Sequence, residues 1–230
     1  TYSINPDTAY GDVVSYELVV NNGLYDEVIP VTKIYGASDQ VFYDDGDSAT
    51  ANFDANDWGT TDVTFVSPSN AITDSPSGAY SNNENKSITL NSTIDLSGTS
   101  QALVQYYAKW DLERNYDLVQ IEASTNGGGS WTALCGNYNK PAAGFDTNFH
   151  LNKNTTTFRN HQSTNGDIVY DGDTMDKWVM EEIYIDATEN TFLLGQSNVQ
   201  IRFRLKSDSV NREDDLTTTF DGFTFDDFRV

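Results

Sequence analysis

The chain has little of what most catalytic centres and nucleic-acid surfaces draw on. Among its 230 residues there is one cysteine, Cys135, so no intramolecular disulfide can form and a tetrathiolate zinc site is excluded. The two histidines, His150 and His161, fall in neither His-x-x-Glu nor His-Glu-x-x-His spacing, so no zinc is expected in this chain. Basic side chains number 13 against 35 acidic ones, a net charge of -22, which sets nucleic acid and anionic membrane surfaces aside as partners. Apolar runs stop at about four residues, whereas a membrane helix requires roughly 20, so no membrane insertion is expected. A Gly-x-Ser-x-Gly nucleophile elbow is absent. Cys135 follows a strand-like run without a recognisable base partner and reads as a buried small apolar side chain. The glycines at 127–129 join two strands, whereas a phosphate cradle would open a helix. Paired carboxylates for glycoside hydrolysis are uninformative among so many acids, because their geometry carries that signal.

What the sequence does have is aromatic mass and period-two alternation. Thirteen tyrosines, twelve phenylalanines and four tryptophans supply enough apolar surface for a core despite the charge. Apolar residues alternate in short runs at 13–20, 87–90, 102–110, 118–124, 179–185, 199–205 and 220–230, bounded by Gly, Asn, Asp and Ser. In 200–205, Ile201, Phe203 and Leu205 share one face while Gln200, Arg202 and Arg204 share the other. Many such strands without intervening helices predict an all-β fold, an antiparallel β-sandwich of immunoglobulin-like or jelly-roll type.

A boundary is expected near Gly36. Before it, 14–20 and 27–34 read as a hairpin around Asn21-Asn22-Gly23, too short to bury a core alone. Residues 1–36 are therefore read as the C-terminal part of an immunoglobulin-like linker domain, and 37–230 as the sandwich. The chain opens Thr-Tyr-Ser-Ile without Met or a signal sequence, so it is read as a piece of a longer precursor. The polar stretch 136–173 is expected to be an elaborated loop.

Calcium, which takes roughly six to eight oxygens, is the expected metal. Acidic clusters stand at Asp44, Asp45 and Asp47, at Asp171, Asp173 and Asp176, at Asp214 and Asp215, and at Asp226 and Asp227. The middle two read as solvated loops. The last pair interrupts the apolar run Phe223-Thr224-Phe225-Asp226-Asp227-Phe228, so one carboxylate is expected to face the core. There it needs a proton, an ion pair or a metal.

Thr73-Asp74-Ser75-Pro76, Ile94-Asp95-Leu96-Ser97, Ala108-Lys109-Trp110-Asp111, Gln120-Ile121-Glu122-Ala123-Ser124, Gly129-Ser130-Trp131 and Asp221 to Asp227 follow one another in an order that carries a resemblance. The series resembles the jelly-roll module, related to MAM-like and immune-inhibitor-A-like domains, found after the catalytic domain in secreted bacterial zinc carboxypeptidases of the carboxypeptidase A type. The resemblance implies structural calcium at the sandwich edge, with Asp226, Asp227 and Asp74 as ligands, joined by Asp44 and Asp45 if the early loop folds against the last strand. It implies a non-catalytic, secreted bacterial accessory module, partnered by the catalytic domain of its parent enzyme, that stabilises the parent or holds it near protein or cell-surface substrate.

The alternative is a carbohydrate-binding module of an extracellular enzyme, which would hold polysaccharide on exposed aromatic rings. Trp110 and Trp131 are expected in the core. Trp58, Tyr107, Tyr138 and Trp178 are the stacking candidates, and Tyr106 and Tyr107, being adjacent, cannot both face inwards.

Overall fold

The computed structural model describes residues 5–9, 11–21, 23–36, 38–113, 116–139, 168–174, 176–209 and 222–230. Both histidines, Asp214, Asp215 and most of the loop 136–173 lie outside the described residues. The chain divides into two compact units, Thr1–Gln40 and Val41–Val230.

The first unit is a hairpin of β1 (Val13–Asn21) and β2 (Asp26–Ile34), antiparallel from Val13↔Ile34 to Asn21↔Asp26. Its register sets Tyr16 opposite Val31 and Leu18 opposite Ile29 on one face. Tyr16, Leu18 and Ile29 are nonetheless exposed, and a two-stranded ribbon that buries so little has marginal stability of its own.

The second unit is an antiparallel β-sandwich of jelly-roll type. One sheet orders β10 (Thr132–Ala133), β9 (Leu118–Ser124), β12 (Gln200–Lys206), β7 (Asn85–Leu90) and β4 (Phe53–Asp54). The other orders β11 (Val179–Ile185), β8 (Ala102–Asp111), β13 (Gly222–Arg229), β6 (Ala71–Thr73) and β5 (Gly59–Thr61), with β3 (Tyr43–Asp44) also paired to β13. From β7 onwards every connection but the β9–β10 hairpin crosses between the sheets. Among the described residues the helical element is a single 3-10 turn, Thr191–Leu193.

The alternation read from the sequence decides which side chains meet between the sheets. Ile201, Phe203 and Leu205 of β12 face Val104, Tyr106, Ala108 and Trp110 of β8 and Phe223 and Phe225 of β13, all buried. Phe203 stacks on Phe225 with centroids 4.3 Å apart, and Tyr106 meets Phe203 edge-on at 5.1 Å. Burying each such ring contributes about 1.5–3 kcal/mol. Strands β3 to β6 have two or three residues each, too few to show a period, and form because β13 offers an edge to β3 and β6, β7 to β4, and β6 in turn to β5.

Several expectations need correction. Trp131 is not core: it is half-buried, with the Arg202 guanidinium 4.1 Å from its ring centroid. Cys135 is half-buried, its amide and carbonyl both bonded to the Asn190 side chain. Asp171 and Asp173 are buried rather than solvated. In β13 neither acid turns into the core, because a bulge between Asp226 and Arg229 shifts the register and lets both Phe225 and Phe228 face inwards. Asp227, at φ 52, takes the left-handed conformation that the extra residue requires.

Candidate functional site

The outer face of the β11–β8–β13 sheet carries the side chains that alternation turns away from the core. Tyr106 is buried, so Tyr107 faces outwards, half-buried, with Met180 of β11 as its partner on one side and Asp226 of β13 on the other. Two residues along β8, a polar row crosses three strands. Arg229 Nε donates to Gln105 Oε1 at 3.1 Å, Gln105 Nε2 donates to Glu182 Oε1 at 2.7 Å, and the Tyr184 hydroxyl donates to Glu182 Oε2 at 3.3 Å. Burial, followed by the adjacent Glu182 charge, raises the Tyr184 pKa, so that hydroxyl stays a donor. In the other direction lie Lys109, which forms an ion pair with Asp176, and Trp178. Lys109 Nζ and Trp178 Nε1 both donate to Thr64 Oγ1, at 3.4 and 3.2 Å. Loop 62–70 thus stands over one margin of the face.

Of the four aromatic candidates, the structure brings Tyr107 and Trp178 to this face. Trp58 cannot stack on a ligand: it is 4% exposed and packs on Phe203 and Phe225. Tyr138 is half-buried against the core, edge-on to Trp110 at 6.5 Å. Sequence reasoning missed Gln105, Glu182 and Arg229, which are isolated polar residues in apolar runs until strand pairing sets them side by side.

The acidic residues fall into separate places. The early loop does fold against the last strand, where Asp44 pairs with Phe228. Asp44 accepts from Gly46 N at 2.9 Å and from Asn52 Nδ2 at 2.7 Å. Asp227 Oδ1 accepts from the Tyr43 hydroxyl at 2.7 Å, a bond that helps push the Tyr43 pKa up to about 12. Ser67 Oγ bonds the Asp45 carbonyl at 3.3 Å and Asp227 Oδ1 at 3.1 Å. Asp226 is buried and accepts Val66 N at 2.6 Å, Ser67 N at 3.0 Å, Asp227 N at 2.8 Å and Ser67 Oγ at 3.4 Å. Burial raises its pKa, and the three amides partly offset that. Asp74 stands apart from this group, at the end of β6, where Oδ1 accepts Phe223 N at 2.5 Å and Oδ2 accepts Ser75 Oγ at 2.8 Å. Lys86 Nζ lies 3.9 Å from Oδ2.

A carboxylate offers about four lone-pair positions, and three of those of Asp226 already meet backbone amides, while the single Ser67 hydroxyl proton is shared with the nearer Asp227 Oδ1 and Asp45 carbonyl. Its surroundings therefore do not suit a cation. A donor set of another kind forms where Glu113, Asp117 and Asp208 converge, with one carboxylate oxygen of each within 4.8 Å of the others. Oxygens on opposite sides of a calcium ion, each about 2.4 Å from it, lie about that far apart. Glu113 and Asp117 stand four residues apart between β8 and β9, and Asp208, after β12, joins them only in the fold.

A further carboxylate lies between the sheets. Glu181 accepts from the Tyr170 hydroxyl at 2.7 Å and from the amides of Asn137 at 2.6 Å, Glu182 at 2.9 Å and Tyr138 at 3.1 Å. Tyr170 in turn shares a 2.5 Å bond with Tyr106. Burial raises the Glu181 pKa, against the opposing effect of these donors.

No family model matches this chain, and no curated protein matches it. Among solved structures it is similar to two xylan-binding domains of Paenibacillus barcinonensis Xyn10C. To CBM22-1 it is 9% identical with a TM-score of 0.41, over 84% of this chain and 94% of that one. To CBM22-2 it is 9% identical with a TM-score of 0.35, over 81% and 96%. Similarity at this level carries nothing about what this chain binds. The expected tie to a carboxypeptidase has no support from these comparisons.

Proposed function

We propose that the Val41–Val230 sandwich is a non-catalytic module of an extracellular enzyme and binds polysaccharide on the outer face of the β11–β8–β13 sheet. The observation that supports this reading is the placing of the Tyr107 ring beside the hydrogen-bonded row Arg229–Gln105–Glu182–Tyr184. A sugar presents an apolar face of C–H groups and an equatorial belt of hydroxyls. A half-exposed aromatic ring matches the first, and planar amide, carboxylate and guanidinium groups, each both fixed and polar, match the second. Side chains that already hold one another lose little freedom when a ligand arrives. The repulsion expected from a net charge of -22 favours a neutral polymer over an anionic one.

The partner in this reading is a catalytic domain of the same enzyme, and the Thr1–Gln40 hairpin is the end of an immunoglobulin-like linker towards it. A structural calcium is retained in the reading but assigned to Glu113, Asp117 and Asp208 in place of Asp226 and Asp74. The test is calorimetric titration with soluble xylan, mixed-linkage glucan, mannan and pectin, with intrinsic tryptophan fluorescence as a second signal. Tyr107→Ala should weaken binding about tenfold, the loss of one stacked ring, while Trp58→Phe should leave affinity unchanged. Absence of binding to the whole panel, or full affinity in Tyr107→Ala, would overturn the reading.

A further inference from the structure

We propose that Asp226 is a positioning residue: its carboxylate, acting where a cation was expected, holds loop 62–70 over the outer face beside Tyr107. The loop is tied down at three points. Thr64 receives Lys109 and Trp178. At the far end Asp47 Oδ1 accepts the amides of Ser69 at 2.7 Å and Asn70 at 2.9 Å. Between them, the consecutive amides of Val66 and Ser67 both converge on Asp226 Oδ2.

The other oxygen is enclosed as tightly. Asp226 Oδ1 takes Asp227 N and has Ser67 Oγ 3.4 Å away, and the backbone of Gly46 lies against it so closely that a Cβ there would come within 2.6 Å. Gly46 also has φ +77, a conformation that glycine adopts without steric cost. It is the residue that allows the acidic turn to close over the carboxylate. A calcium ion would have to displace N–H groups whose positive ends already point at both oxygens, and it would find few lone pairs left to coordinate. The negative charge thus satisfies backbone donors of a loop with no secondary structure of its own, as a capping carboxylate does at a helix end.

The consequence lies at the neighbouring position on the sheet. Asp226 is the β13 partner of Tyr107, so the amides it holds set one margin of the Tyr107 position. Phe65 and Val66 are exposed in the same loop. That this margin contributes to binding rests on the polysaccharide reading above; that Asp226 fixes the loop does not.

The test is amide hydrogen exchange of the whole chain in chelator and in millimolar calcium, for the wild type, Asp226→Asn and Ser67→Ala, together with titration against the polysaccharide panel. Wild-type protection of Val66 and Ser67 should be the same in both media. Asp226→Asn should lose about ten- to hundredfold protection at these two amides, the scale of a lost charged hydrogen bond, while Val104 and Ile121 keep theirs. Polysaccharide affinity should fall with it. Should Asp226→Asn not fold, Ser67→Ala should show a smaller loss confined to the same loop. Protection that disappears in chelator and returns with calcium would overturn the proposal, as would unchanged protection in Asp226→Asn. A wild type that binds no polysaccharide, with a loop that still opens in Asp226→Asn, would refute the reading of the face and leave the positioning role supported.

Discussion

Replacing Asp74 by asparagine should remove a pH dependence of stability that the wild type carries between about pH 4 and pH 7. Asp74 has no exposed surface, and burial pushes its pKa up to about 6, against the opposing effects of the Phe223 amide and Lys86. In the unfolded chain the group titrates near its ordinary value of about 3.9. A pKa raised on folding means that the folded state binds the proton more tightly. The resulting stabilisation is complete below about pH 4 and is lost as pH rises through about 6. Two units of difference, at about 1.4 kcal/mol each, amount to about 3 kcal/mol. Urea melts of both proteins at several pH values between 4 and 7.5 give the difference in unfolding free energy, in which the other carboxylates cancel. That difference should shift by about 3 kcal/mol in favour of the wild type as the pH is lowered. A difference that is flat across the range would refute the burial argument. One of opposite slope would mean that the ion pair with Lys86 outweighs desolvation.

Phe203→Ala should cost about 3–5 kcal/mol, since the ring contacts Phe223, Phe225, Phe228, Tyr106 and Trp58 at once; a melt showing under 1 kcal/mol would mean that the core rearranges to fill the space. Glu181→Gln should destabilise by about 1–3 kcal/mol, because either orientation of the amide sets its nitrogen against a backbone N–H, those of Asn137 and Glu182 on one side or that of Tyr138 on the other; chemical denaturation measures it, and a neutral effect would show that the glutamate is already protonated. Millimolar calcium should raise the melting temperature of metal-stripped protein, and Glu113→Gln with Asp208→Asn should abolish the rise while Asp227→Asn does not. Loss of the rise in Asp227→Asn alone would return the ion to the last strand.

Much of the architecture could be read from local pattern. The long strands β7, β8, β9, β11, β12 and β13 follow from period-two alternation, because a strand with one buried face must repeat its apolar residues at that interval. The short strands β3 to β6 could not, since two or three residues carry no period and exist only by pairing with other strands. Trp58 and Trp131 show the same limit in side chains: aromatic identity is local, but whether a ring lies between the sheets or under an arginine depends on which strand passes beside it.

The sequence by itself determined that this is an all-β chain with an aromatic core, a net charge that repels polyanions, and neither the histidine spacing nor the thiols for a zinc centre. It also marked one of the pair Asp226 and Asp227 as a carboxylate in need of a partner. Only the tertiary structure decided that the partner is a pair of amides some 160 residues away. It alone brought Gln105, Glu182 and Arg229 into one row beside Tyr107, and Glu113, Asp117 and Asp208 within reach of one ion. For the row, alternation along a strand fixes the face on which a side chain emerges, whereas its neighbours on that face are set by register between strands distant in sequence, which no local spacing records. The loop amides and the three acids lie beyond strand ends, and they meet only because the strands that they flank pair, as Lys206 does with Leu118.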